Sequence, residues 1–441
     1  MARRVLLVIG AFLFSAAMWI WVQAIAIPHQ HAEADAKGAP RGNLSDLYPR
    51  WLGARELLLH GRDPYGDDIT REIQVGYYGR VLDPSRPNDP RDQQAFAYPV
   101  YVVLMLAPTV KLPFATVHKW VFWLFTLLTA ISVPLWLHTL GWRISTSGKI
   151  AWILLTLSCF PAVQGLKLQQ LTVLVAAIIA AAMSAVAQRR LVLAGVLLAM
   201  ATIKPQLVVL LTLWLCLWVI SEWRDRQRLF WSFAITAAVM VGAGEWLLPG
   251  WIWEFRGALA SYYTYTGGGT SVLDVLLTKT LGRMGSVVMV VTLSWLAWKK
   301  RRAAETTAEF WWMFCFVMAT TLLVIPTFAP YNQILLLPAC MIFLRAVRDL
   351  WRSGLFQRFF VTVTAISVFW SYPAAAGLSI ALLFLPAVTV QRAWRLPFYP
   401  SFAIPIMVYA TVLVGRKHLC MQASVNTTDE SRMLQPHAAA E

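Results

Sequence analysis

The chain has 441 residues, 58% of them hydrophobic and 14% charged, with a formal net charge of +16. A soluble domain of ordinary composition holds about 25% charged residues, so a soluble fold is excluded. In lipid the backbone must bond to itself, and the predicted fold class is an all-α polytopic membrane protein. The excess of Lys and Arg does not mark a nucleic-acid partner, because it sits in short clusters between apolar runs. Arg3-Arg4, Arg189-Arg190, Arg224/Arg226/Arg228, Lys299–Arg302 and Arg345/Arg348/Arg352 follow the pattern of cytoplasmic loops.

The first apolar run, Val5–Ile27, is too long for the core of a cleavable signal. It predicts a retained first helix within residues 1–27, N-terminus inside. Residues 28–97 then emerge outside as one long loop, with eleven of the chain's 22 acids. Residues 98–415 form a transmembrane domain whose apolar runs give about 11–13 crossings in the whole chain. The run "YPVYVVLMLAPTVKLPF", from Tyr98, carries Pro108, Lys111 and Pro113, and either re-enters or ends early. A second outer loop, 249–283, opens with "PGWIWEFRGALASYYTYTGGG", rich in the Trp and Tyr that favour the membrane interface. The tail 416–441 is polar and predicted to be disordered. Cys159, Cys216, Cys315 and Cys340 lie inside apolar runs with no C-x-x-C pair, so they read as packing residues.

The long outer loop carries the chemistry. In "DLYPRWLGARELLLHG", Pro49 suits a first helical turn and Gly61 the C′ position, predicting a helix over Pro49–His60. Trp51, Leu52, Ala54, Leu58 and Leu59 share an apolar arc, with Gly53, Glu56 and His60 opposite, as in a helix lying in the membrane interface. Asp46 precedes it and has two readings: an N-cap, a role Ser45 could also fill, or a free carboxylate. A free carboxylate beside apolar helices on the outer side suits a general base that deprotonates a sugar hydroxyl attacking a lipid-phosphate-activated sugar. The departing phosphate needs a cationic or polar cradle, with candidates Arg55, Arg62 and Lys204.

Lys204, in "LLAMATIKPQLVVLL", either snorkels to the interface or contacts substrate. Glu245, in "VGAGEWLLPG", is divided between structural pairing and substrate contact. Tyr98, Trp251 and Tyr265 are candidates to stack on sugar faces. "HQHAEAD", His29–Asp35, reads as a solvated stretch rather than a metal site, since no distant partner completes a tetrahedral set. "TGGGT", Thr266–Thr270, lacks the lysine and helix of a phosphate loop and reads as an outer turn.

Four blocks carry a family resemblance. Asp46-Leu-Tyr followed by "ARELLLHGRDPYG" resembles the D-F-x-x-Y … A-x-x-x-L-x-x-G-x-x-P-Y signature of glycosyltransferase family 87. "FAYPVYVVLMLAPTVKLPF", Phe96–Phe114, is similar to its F-x-Y-P-P-x-x-x-x-L-x-x-P-x-x-x-L-P block. Leu168–Pro205 resembles its G-Q-x-N … R-R … A-G-x-L-L-A-x-x-x-x-I-K-P block, and "PTFAPYNQILLLP", Pro326–Pro338, its P-x-x-W-x-H-H-x-x-L-L-L-P pattern.

The resemblance implies a bacterial multi-pass enzyme of the cytoplasmic membrane with a GT-C helical bundle and an active site on the extracytoplasmic side. It implies Asp46 as catalytic base and Lys204 as the family's lysine before proline. Val100 replaces the second proline of Y-P-P; Gln169 and Thr172 replace the glycine and asparagine beside Gln170; Tyr331-Asn332 replace the histidine pair.

The expected activity is inverting transfer of a hexose, most simply mannose, from a polyprenyl-phosphate carrier to a lipid or glycan acceptor. Expected partners are that donor, the acceptor and membrane lipids; no metal or other cofactor is expected. The expected site is Asp46 with Lys204, Arg55, Arg62, Tyr98, Gln170, Glu245, Tyr331 and Asn332. Competing readings are a transporter or flippase for a lipid-linked sugar, which predicts coupling charges near the bilayer midplane, and a polysaccharide polymerase or ligase, which predicts a large late outer loop. A non-catalytic scaffold would leave Asp46 replaceable.

Overall fold

The computed structural model describes residues 2–39, 45–265 and 269–417. Most of the "TGGGT" turn and nearly all of the polar tail lie outside the described residues. Those described form helices and their connections, with no strand among them. Five helices are long and apolar enough to cross a membrane: Ala2–Ala36, Phe114–Thr139, Trp223–Leu247, Lys279–Lys299 and Ala387–Val414. The pairs Thr146–Ser158 with Phe160–Lys167 and Leu355–Phe369 with Ser371–Ala381 reach that length and hydropathy only together, bent by 56° and 41° at the break between them. Four further apolar helices are shorter, 10–17 residues each: Leu171–Ala187, Leu191–Ile203, Pro205–Ser221 and Ala308–Val324. The low end of the sequence-based crossing count requires every one of these to cross.

The first helix does not stop at Ile27 but runs on to Ala36, through the stretch "HQHAEAD". Pro28 cannot donate to the carbonyl one turn back and its ring crowds that turn, and the helix widens into a π segment over Trp21–Ala26 just before it. Ser15 ties this helix to Thr146–Ser158 by donating to the Leu154 carbonyl at 2.9 Å. The 56° bend after Ser158 has a similar cause: Pro161 would crowd Leu157 in a continuous helix, and Cys159 turns extended instead.

The run from Tyr98 does not cross. Its only α-helix is the five-residue Val102–Leu106, followed by a 3-10 turn Ala107–Thr109 containing Pro108. Five residues span about 7.5 Å, a quarter of a hydrocarbon core. This run instead packs against the helix Leu47–His60, which packs in turn on Asp67–Tyr78. Both helices end on left-handed glycines, Gly61 (φ 67°) and Gly79 (φ 81°).

The helix Leu47–His60 is not a surface helix with one polar face. Glu56 is buried, and a Cβ on Gly53 would stand 2.5 Å from the Phe96 ring, so the face opposite the apolar arc is covered by protein at Gly53 and Glu56 and open only at His60. Helical phase alone could not reveal that Phe96 and Pro64 return to that side.

The helix Ala308–Val324 is buried in protein on every side from Phe310 to Leu323, where Thr320 and Thr321 donate to the Phe316 and Val317 carbonyls one turn back. Closest packing falls where Leu191–Met200 crosses Trp223–Leu247. A Cβ on Gly195 would lie 2.0 Å from Ser232 Oγ and 2.4 Å from the Leu229 carbonyl. Small residues let membrane helices approach to backbone contact. Gly195→Ala is therefore expected to destabilise by about 1–3 kcal/mol, read as a lower thermal midpoint in detergent. Adding Ser232→Gly restores little, because the carbonyl clash remains.

Candidate active site

Asp46 holds the N-cap position of Leu47–His60, yet its side chain makes no capping bond. An N-cap side chain ordinarily accepts from the second or third helical N–H. Here the third residue is Pro49, which has none, and the second, Tyr48, donates to the Ser45 carbonyl at 3.0 Å. The first, Leu47, donates to Ser45 Oγ at 3.1 Å. Ser45 takes the local donors and leaves the Asp46 carboxylate free to point elsewhere.

Its position is fixed by the turn before the helix Leu171–Ala187. The Asp46 N–H donates to the Leu168 carbonyl at 2.9 Å, and Ser45 Oγ donates to Gln169 Oε1 at 2.8 Å. Gln169 also donates to the His118 carbonyl. Gln169 is left-handed at φ 50°, which gives a physical reason for glycine at this place in the block it resembles. In this chain a glutamine accepts that strain and clamps the Asp46 segment in return.

The carboxylate accepts from Gln170 Nε2, and Gln170 Oε1 accepts from Lys204 Nζ at 2.9 Å. A carboxylate only accepts and an ammonium only donates, so the amide has one orientation that satisfies both. Lys204 Nζ donates also to Thr172 Oγ1 at 2.7 Å, and Thr172 donates to Asn332 Oδ1 at 2.8 Å. Asp46, Gln170, Lys204, Thr172 and Asn332 thus form one polar chain across four segments of sequence. Lys204 is only 5% exposed and lies 5.0 Å from the Tyr331 ring centroid and 5.8 Å from that of Tyr98.

These residues gather because each stands at a helix start. Gln170 precedes Leu171–Ala187, Lys204 precedes Pro205–Ser221, and Tyr331-Asn332 open the 3-10 segment Pro330–Leu336. Proline at the first position starts two of them, where its missing N–H costs nothing. The N-terminal ends of two 17-residue helices therefore begin at the site and favour negative charge there.

A cavity of about 160 Å³ opens against this chain, lined by Tyr98, Gln170, Lys204, Tyr331 and Asn332 together with Arg50 and Tyr262. Asp46 is half-buried beside it, joined through Gln170. Burial holds the Tyr98 phenol up to about 12, so it remains a neutral hydroxyl at ordinary pH.

Arg50 was not foreseen. It is four residues after Asp46, one helical turn on and on the same face, which is the signal that would have found it. Its Nη1 donates to the Asp46 carbonyl at 2.6 Å, and its guanidinium lies 4.6 Å from the Tyr98 ring centroid.

The structure does not bring Arg55, Arg62 or Glu245 to this cavity. Arg55 is nine residues beyond Asp46, about two and a half turns, so it faces away and rests 5.5 Å from the Trp51 ring centroid. Arg62 binds Glu56, Asp68 and Glu72 at 2.9, 2.7 and 2.6 Å. Glu245 is exposed and accepts from the Gly250 N–H at 2.8 Å, closing its own turn. Of the other aromatics, buried Trp251 packs edge-on to Tyr101, whereas Tyr262 and Tyr263 line the cavity. Arg55→Ala and Arg62→Ala are expected to leave turnover intact, checked by initial rates at saturating donor.

The fold and this site define a multi-helix membrane protein whose polar cavity, with a carboxylate beside it, lies where several apolar helices begin. The profile of glycosyltransferase family 87 matches residues 96–326, more than half of the chain, and the chain belongs to that family. It is a membrane glycosyltransferase. The matched region includes Tyr98, Gln170 and Lys204; Asp46 and Arg50 precede it and Tyr331-Asn332 follow it. No curated protein and no solved structure matches the chain.

Proposed function

We propose that the protein transfers a hexose, most simply mannose, from a polyprenyl-phosphate carrier to a lipid or glycan acceptor, with inversion and with Asp46 as general base. The observation that carries this reading is the bridge from the Asp46 carboxylate through Gln170 to Lys204 at one polar cavity. It pairs a proton acceptor with a buried cation at a separation set by one side-chain amide. The donor phosphate occupies the cavity beside Lys204, and the acceptor hydroxyl approaches Asp46 from its exposed side. Asp46 takes the hydroxyl proton, the acceptor oxygen bonds to the anomeric carbon, and the carbon–oxygen bond to phosphate breaks with its electron pair on the phosphate. The carrier supplies the leaving group, so the reaction calls for no nucleotide.

An extracytoplasmic site in a bacterial cytoplasmic membrane is supported by charge. With no crossing at 98–116, one for each of the eleven apolar elements and one more for Leu337–Arg352, whose Arg345 donates to the Leu140 carbonyl just past the end of Phe114–Thr139, each of those basic clusters returns to the side of Arg3-Arg4. Asp46, Gln170, Lys204 and Tyr331 then fall on the opposite side. A flippase would carry its charges nearer the bilayer midplane.

The test is a donor panel with purified protein: polyprenyl phosphates carrying mannose, glucose or arabinose, against nucleotide sugars. Turnover with a lipid-linked hexose alone supports the reading. Transfer from a nucleotide sugar, with none from any lipid carrier, contradicts it.

A further inference from the structure

We propose that Arg50 receives the negative charge as the sugar leaves, forming with Lys204 a two-cation site that favours a phosphomonoester dianion over a phosphodiester monoanion. The inference rests on the phosphate-linked donor of the reading above and assigns to Arg50 the leaving-group role that Arg55 and Arg62 are too far away to fill.

Three observations point to an anion. Arg50 lines the cavity, and its Nε is buried without a partner, which is rare for a guanidinium N–H. Arg50 and Lys204 lie 4.6 and 5.8 Å from the Tyr98 ring centroid, so two cations border one aromatic ring. Lys204 spends two of its three N–H donors on Gln170 and Thr172 and Arg50 spends Nη1 on the Asp46 carbonyl, so each cation keeps a donor. A planar guanidinium presents paired donors that match two phosphate oxygens, which an ammonium cannot do.

Charge balance gives Arg50 its role. Before transfer the Asp46 carboxylate and the phosphodiester each carry one negative charge. As Asp46 takes the acceptor proton it becomes neutral, and the departing phosphate becomes a monoester with two. Total charge is unchanged, but one negative charge moves from Asp46 into the cavity. Arg50 holds the Asp46 backbone through Nη1 and lines the cavity, so it stands at both ends of that movement. An interaction that strengthens as charge builds on the leaving group lowers the barrier rather than merely tightening donor binding.

The test measures the affinity of polyprenyl phosphate and of intact polyprenyl-phosphate mannose for wild type, Arg50→Gln and Arg50→Lys. Arg50→Gln is expected to weaken polyprenyl phosphate about 10- to 100-fold and the intact donor far less, with kcat falling while KM for the donor changes little. Arg50→Lys, which keeps the charge and loses the planar fork, is expected to fall between. Equal weakening of both ligands, or of neither, would overturn the proposal. If Arg50→Gln does not fold, the same affinity ratio in Arg50→Lys decides it. A wild type that binds polyprenyl phosphate through Arg50 yet transfers no hexose contradicts the donor reading and keeps the anion site. A wild type that transfers hexose while the Arg50 variants leave the ratio unchanged does the reverse.

Discussion

Asp46→Asn is expected to lower turnover by about 10²–10⁴-fold, the usual contribution of a positioned general base. The exchange is nearly isosteric, and asparagine can still offer its oxygen to Gln170 Nε2, so the polar chain survives. What it loses is the ability to accept a proton. Donor affinity and thermal midpoint are therefore expected to stay close to wild type, and only the chemical step to fail. Loss of donor binding in step with turnover would show that Asp46 organises the cavity instead. Unchanged turnover would return Asp46 to the structural role that its place before a helix first suggests.

Lys204→Met carries the second large effect. Removing one preorganised charge from a developing oxyanion costs about 10²–10³-fold in rate. Stability is expected to move little, because two changes oppose each other. A cation that is 5% exposed no longer has to be desolvated, while Gln170 Oε1 and Thr172 Oγ1 lose a donor. Gln170 keeps Asp46 and Thr172 keeps Asn332. The measurement is kcat beside the thermal midpoint: a large fall in rate with a similar midpoint marks an electrostatic role. A collapse of both would mark Lys204 as a structural anchor.

What was legible in the sequence follows from what local chemistry can encode. Lys204 announces itself by being charged within an apolar run and followed by Pro205, which marks a helix start. Gln170, Tyr98, Tyr331 and Asn332 lie in blocks with similar punctuation, and the structure gathers all of them around one cavity. Thr172, Tyr331 and Asn332 each depart from the pattern of the blocks they resemble, and in space Thr172 and Tyr331 adjoin one ammonium group while Asn332 holds Thr172. A sequence read along its length cannot show that substitutions 160 residues apart are neighbours.

The misplacements are equally physical. Arg55 and Arg62 belong to the right segment but the wrong phase, since helix geometry turns one away and three carboxylates hold the other. Arg50, one helical turn after Asp46, carries its only sequence signal in that spacing. The capping question could not be closed from composition, because it depends on Pro49 withholding an N–H and on Ser45 taking the donors that remain. The first helix overran its apolar stretch because His29–Ala36 still favour helix once a π segment accommodates Pro28.

The most direct test of the central claim is the anomeric configuration of the product when wild-type protein is given a polyprenyl-phosphate hexose of known configuration, read by NMR. A single displacement at one carbon, driven by one carboxylate beside one phosphate cradle, predicts complete inversion with release of polyprenyl phosphate. A retained configuration would require a covalent sugar intermediate or displacement from the leaving-group face, and either would contradict the account.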